Sequence, residues 1–196
     1  MRSTKTKKRL EKITRVVNSR QHSLTVVMEN IHDPHNVSAI FRTCDAVGIP
    51  KVNLVYNCET FPRIGKKSSA SAFKWVDKEK YKSVEECYSE LRKDGFKIFA
   101  SSLSDKSKNL YDLDLTQKVA IVVGNEHRGV SETSAELADE VFLIPQFGMV
   151  QSLNVSVATA VILYEAMRQR IKKGKYKKSE LDEKAIDKLI DNWCEK

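Results

Sequence analysis

The feature that most constrains this chain is a run of five apolar residues with no polar break, Val119-Ala120-Ile121-Val122-Val123. A strand with no polar side to offer water must be covered on both faces, and such strands belong to parallel sheets sandwiched between helices. Leu24 to Met28 is nearly as apolar, and Val52 to Tyr56, Phe96 to Ser101 and Val141 to Ile144 read as further strands. Helical signals alternate with them. Asp33-Pro34 is a turn-and-cap pair that opens a helix from about Asn36 to Val47, with Val37, Ile40, Phe41 and Cys44 as its apolar stripe and Gly48 as its stop. Ser83 and Glu86 form a capping box for a helix carrying Val84, Cys87, Tyr88 and Leu91 on one face, closed by Gly95. Ser131 caps another short helix. Residues 57–75 are polar with little periodicity and predict a long loop. The class is α/β, with a largely parallel sheet.

The chain has 196 residues, enough for one well-buried domain with short appendages. No apolar run approaches the roughly 18 residues that cross a bilayer, and the basic N-terminus is not followed by the apolar stretch of a secretory signal, so the expectation is a cytoplasmic protein without membrane association. Cys44, Cys58, Cys87 and Cys194 show neither CxxC nor metal-ligand spacing, and His32 and His35 flank a turn, so no metal is expected.

The net charge of +8 is unevenly placed. Residues 1–20 hold eight Lys and Arg against one acid and residues 168–196 hold ten against six, which leaves a mildly acidic middle. Basic ends suit contact with a polyanion, whose counterions they would release; two solvated tails without a partner are the alternative. These counts divide the chain into a basic helical extension (1–20, with Leu10, Ile13, Val16 and Val17 as its apolar side), a body (21–167), and a basic linker with a final helix (168–196). Residues 168–178 contain seven Lys and Arg and no acid, after which Ser179 caps a helix with Leu181, Ala185, Ile186, Leu189, Ile190 and Trp193 on one stripe. The helix from Leu153 to Met167 is apolar nearly all round, which in a chain this small predicts a partner subunit.

Three polar clusters stand at loop and helix boundaries: Asn36-Val37-Ser38-Ala39-Ile40-Phe41-Arg42; Gly124-Asn125-Glu126-His127-Arg128-Gly129; and Ile144-Pro145 with Gly148 to Ser156, including Ser152-Leu153-Asn154. The second and third lie at the carboxyl ends of strands, where open α/β sheets place ligands. In this order they resemble the three motifs of the SpoU/TrmH family of the SPOUT superfamily: the Asn-to-Arg element, the N-E-x-x-G element and the P-x-x-x-x-x-x-S-L-N-x-S element. The resemblance covers about residues 22–168, and the flanking basic helices extend it towards the tRNA-modifying members.

That resemblance implies a SPOUT fold whose C-terminal part threads a deep trefoil knot, a homodimer, and transfer of a methyl group from S-adenosylmethionine to a ribose 2′-hydroxyl of tRNA, with guanosine 18 of the D-loop as target. Knots are too rare for pattern reasoning to predict. The positions matching the family's cofactor site are Ser101, Gly124, Ile144 and Leu153; those matching its catalytic residues are Arg42, Asn36, Glu126, Ser152 and Asn154. A guanidinium is always protonated, so Arg42 is no ordinary base. Either a bound phosphate and a tight site depress its proton affinity, or it stabilises the developing alkoxide while water takes the proton; the second is favoured. Simpler roles stand beside these: a surface ion pair for Arg42, helix caps for Asn36, Ser152 and Asn154, and for Glu126 a turn residue paired with Arg128, against an orienting contact to Arg42 or a neighbouring subunit. The absence of GxGxxG or GxxxxGK[ST] after any strand excludes the usual dinucleotide and P-loop sites. Methylation of the tRNA wobble ribose or of rRNA, and a non-catalytic RNA-binding module, are the rival readings.

Overall fold

In the computed structural model, which describes residue 2, residues 5–63 and residues 72–196, strands β1 (Leu24–Glu29), β2 (Lys51–Val55), β3 (Asp77–Tyr81), β4 (Lys97–Ser101), β5 (Lys108–Asn109), β6 (Val119–Val123) and β7 (Glu140–Leu143) form one seven-stranded sheet. Its order is β3-β2-β1-β6-β4-β7-β5, and every neighbouring pair is parallel. The two most apolar segments, β1 and β6, lie side by side in the middle with Val26 opposite Ile121, and both are buried along their whole length. Alternation sends successive side chains to opposite faces. Val26, Met28, Leu54 and Ile121 pack with Phe41 and Leu163 in one core, while Val27, Val55, Ala100 and Val122 pack with Tyr88 and Leu91 in the other.

The first face is covered by α2 (Pro34–Val47), α3 (Ala72–Trp75) and α6 (Val155–Lys172), the second by α4 (Val84–Lys93) and α5 (Glu132–Glu136). Helix α2 begins at Pro34, two residues earlier than expected, because Asp33 is its cap and accepts from the His35 N–H at 2.8 Å. It ends at Gly48, whose φ of 87° is the left-handed conformation that terminates helices. Ser83 and Ser131 cap α4 and α5 as the sequence suggests.

The chain ends meet. Helix α1 (Lys7–Asn18) packs against α7 (Glu183–Glu195) through Ile13, Val17, Ile190 and Trp193, forming a small separate core against which Trp75 rests. Asp182 rather than Ser179 caps α7, accepting the Ala185 N–H at 2.8 Å.

Three differences from the sequence reading have physical causes. Part of the expected loop over 57–75 lies outside the described residues, but its end is α3, followed by the unforeseen strand β3, whose Asp-Lys-Glu-Lys-Tyr sequence is an exposed edge with no apolar run to reveal it. Strand β5 and the single helical turn Leu110–Asp112 are too short to leave a periodic signal. The basic stretch from 168 is no linker at its start, since α6 continues to Lys172. Arg170 is fully buried there, donating to the carbonyls of Leu115, Ser23 and Gln117 at 3.0, 2.9 and 2.7 Å. Arg20 is buried too, bonding Asp45 and the Ile49 carbonyl. These two arginines serve the fold, not a polyanion.

Candidate active site

The carboxyl ends of β4, β6 and β7 open on a cavity of about 400 Å3, within the usual range for small-molecule sites. Ser101, Gly124, Ile144 and Leu153 all line it, as do Glu126 and Ser152. Gly124 is required by close approach. A Cβ there would stand 2.1 Å from the Gly129 carbonyl carbon and oxygen and 2.2 Å from the Val130 nitrogen, so no side chain fits without moving backbone. The segment 125–129 folds back on itself: Asn125 N–H donates to the Gly129 carbonyl at 2.9 Å and Gly129 N–H returns the bond at 2.8 Å. Gly129 has a φ of 69°, and the Asn125 carboxamide oxygen accepts the His127 N–H within the turn.

The three sequence clusters meet in one hydrogen-bonded chain. Asn36 Nδ2 donates to Glu126 Oε1 at 2.9 Å, and Asn154 Nδ2 donates to Asn36 Oδ1 at 3.0 Å. Glu126 further accepts the N–H groups of His32 and Asp33, each at 3.0 Å. Burial alone would push its carboxyl up, but the Asn36 amide and these backbone donors outweigh that and hold it below the ordinary carboxylate range. An ionised carboxylate this well supplied with donors is an orienting anchor rather than a proton acceptor. Asn154 spends its oxygen as the cap of α6, accepting from the N–H groups of Ser156 and Val157 at 2.9 and 3.4 Å, so capping and site contact coexist in one side chain.

Several expectations change. Asn36 is not a cap, since Asp33 fills that role and frees the amide to link Glu126 with Asn154. Glu126 binds neither Arg42 nor Arg128; Arg128 instead reaches Glu59 at 2.8 Å. Arg42 is exposed on α2, does not line the cavity, and makes no hydrogen bond or ion pair among the described residues. Ser152 is exposed at the cavity and is not the cap of α6. The sequence reading missed Asn30. It is the one described residue other than glycine with positive φ, at 51°, and such torsions concentrate at constrained sites. Its carbonyl accepts Asn125 Nδ2 at 2.8 Å, tying the end of β1 to the 125–129 turn. The only clue in the sequence was an asparagine directly after an apolar strand.

The cavity's chemistry fits a nucleoside-bearing sulfonium cofactor. Val123, Leu143, Ile144 and Leu153 supply apolar walls for a planar base, and Ser101 and Gln151 supply polar groups for a ribose and an amino acid. Among the described residues no group of three His, Cys, Asp or Glu side chains could hold a metal ion.

Residues 23–164 match the model of the SpoU rRNA Methylase family. The chain is 42% identical over 192 residues, covering 98% of both proteins, to the tRNA (guanosine(18)-2′-O)-methyltransferase of Thermus thermophilus. It superposes on the crystal structure of the A. aeolicus TrmH/SpoU tRNA modifying enzyme with a TM-score of 0.89 and 41% identity, over 96% of this chain and 95% of that one. It also resembles the SpoU methyltransferase AviRb of Streptomyces viridochromogenes in complex with AdoMet, with a TM-score of 0.68 and 26% identity over 79% and 62% of the two chains.

Proposed function

The chain belongs to the SpoU rRNA Methylase family, and from that premise we propose that it is an S-adenosylmethionine-dependent tRNA 2′-O-methyltransferase acting on guanosine 18. The observation that carries this reading is the Glu126–Asn36–Asn154 chain beside the cavity, because it brings the three motif elements into one arrangement. The choice of tRNA and of position 18 rests on the relatives named for that reaction, the first of which matches along almost the entire chain.

When bound, S-adenosylmethionine supplies a methyl group already activated on a sulfonium. What remains for the protein is to align the ribose oxygen with that methyl and to ease loss of the hydroxyl proton. Ser101, Gly124, Ile144 and Leu153 would hold the cofactor, while Asn36 and Asn154, fixed by Glu126, would hold the ribose end of the site in register with it. Ser152, exposed at the rim, would contact the substrate. Arg42 acts as a fixed cation for the developing alkoxide, with water taking the proton. Its exposure outside the cavity of its own chain supports a homodimer in which it completes the partner's site. Other observations support that assembly: Phe147 and Met149 are fully exposed beside the cavity, and Val157, Tyr164 and Ile171 form an uncovered stripe along α6. The passage of β7 between β4 and β5 accommodates the trefoil knot expected of the family. No helix of the described residues is long and apolar enough to cross a membrane, and we place the protein in the cytoplasm, where its tRNA substrate is.

The test is methyl transfer to an unmodified tRNA transcript with the product nucleotide mapped. Transfer to the ribose of guanosine 18, abolished in Arg42→Ala with cofactor affinity retained, is the expected result. Methylation of the wobble ribose or of rRNA alone would reassign the substrate, and RNA binding without any transfer would leave a binding module.

A further inference from the structure

An arginine and a histidine from separate segments converge on one carboxylate at the rim of the cavity. Arg128 Nη2 lies 2.8 Å from Glu59 Oε1, and His32 Nδ1 lies 3.4 Å from Glu59 Oε2. Arg128 lines the cofactor cavity and also a second cavity, of about 430 Å3, which shares residues 128–130 of its wall. The side chains of His32 and Arg128 are 72% and 60% exposed, whereas that of Glu59 is 27% exposed.

The stem of Glu59 is fixed far more firmly than its head. Asn30, only 6% exposed, accepts the N–H groups of Asn57, Cys58 and Glu59 on its carboxamide oxygen at 3.1, 3.2 and 3.2 Å. Among the described residues the carboxylate itself is held by the Arg128 ion pair and the His32 contact, both to exposed partners, and such contacts exchange readily because they contribute little in water. Both side chains also belong to residues tied to the catalytic arrangement. The N–H of His32 donates to Glu126, and Arg128 follows Glu126 by two residues.

We propose that His32 and Arg128 form a binding site for an RNA backbone phosphate next to the reacting ribose, and that Glu59 is a placeholder which this phosphate displaces. The inference rests on the ribose methyltransferase reading. A 2′-hydroxyl is never more than one nucleotide from a phosphate, so a ribose held at the Asn36–Asn154 end must bring a phosphate close to this rim. The arginine fork matches a phosphate as well as a carboxylate. While empty of RNA, the charge of Arg128 is neutralised by Glu59, so a stray anion gains little by binding. A tRNA anchored elsewhere delivers its phosphate at high effective concentration and displaces the carboxylate.

Binding of an unmodified tRNA transcript at low ionic strength, measured apart from methyl transfer, tests the site. Glu59→Gln should tighten tRNA binding by roughly two- to fivefold, the scale of one exposed ion pair no longer broken. Arg128→Gln should weaken it about tenfold and reduce the slope of log affinity against log salt by about 0.7 to 0.9. In the Arg128→Gln background the gain from Glu59→Gln should shrink, because the two groups act on the same phosphate. Cofactor affinity stays the same in Glu59→Gln. A purely structural ion pair gives the opposite sign: Glu59→Gln then weakens tRNA binding or leaves it unchanged, and either result overturns the placeholder. An unchanged salt slope in Arg128→Gln overturns the phosphate site. If wild-type protein binds tRNA but transfers no methyl, the enzymatic reading falls while these binding results still decide the site.

Discussion

Asn36 uses both ends of its carboxamide, donating to Glu126 and accepting from Asn154, and no other side chain of its size can do both. Asn36→Ala and Asn154→Ala should therefore each lower kcat by about 100-fold, the scale of a misplacement of about 1 Å. The double variant should lose little more than the worse single one, since both break the same chain; full additivity in steady-state rates would separate the two residues. Glu126 gives a test with a defined sign. Its folded pKa is lowered, by donors that overcome its burial, so its contribution to stability is complete above the ordinary carboxylate value of about 4.3 and is lost as pH falls through the folded value. Thermal melts should show wild type more stable than Glu126→Gln at neutral pH, with the two curves converging as the pH drops below about 4. A constant gap across that range would mean that ionisation of Glu126 contributes nothing.

Among the elements, those legible in the sequence were those whose burial is complete or whose ends are chemically marked. The strands β1 and β6 carry unbroken apolar runs, and α2, α4 and α5 carry Asp33, Ser83 and Ser131 as caps. The strand β3 was illegible because an edge strand is stabilised by hydrogen bonds to β2 and its charged side chains resemble a loop. The end of α6 was illegible for a different reason. Arg168, Arg170 and Lys172 share a charge type, and only tertiary structure separates the buried Arg170 from its exposed neighbours, since its partners at Ser23, Leu115 and Gln117 are remote in sequence. At the site the motif spacing exposed Asn36, Glu126 and Asn154, but the clamp at Asn30 resides in a backbone torsion that residue identity only permits. Arg170→Ala therefore checks the structural assignment: it should lower the melting temperature markedly, because buried carbonyls lose a charged donor at a cost of about 1–3 kcal/mol each. A variant with unchanged melting and reduced tRNA affinity would return Arg170 to the RNA surface.

For the molecule as a whole, the packing of α1 on α7 joins the two basic ends into one region. Deleting residues 1–20 would strip the cover from Ile190 and Trp193, so charge is better removed than chain. Replacing the exposed Lys7, Lys8, Lys12 and Arg15 with glutamine should leave melting unchanged and flatten the salt dependence of tRNA binding, by about 0.7 to 0.9 for each phosphate that is no longer neutralised. An unchanged slope would make these side chains a solvated face. On the opposite side of the problem, Tyr164→Arg on the uncovered stripe of α6 should shift the protein to a monomer in light scattering at micromolar concentration; a monomeric wild type would remove the dimer altogether. The charged edge at β3 bears on how such an assembly ends. A sheet grows by adding strands, and the outer rows here are a ribbon of alternating Asp, Lys, Glu and Lys at one margin and a two-residue strand at the other. Neither margin offers a template to a second sheet. Copies of this chain are left with helix and loop surfaces for self-recognition, and an interface of that kind that is its own mate under a twofold rotation closes after two subunits instead of propagating into a fibre.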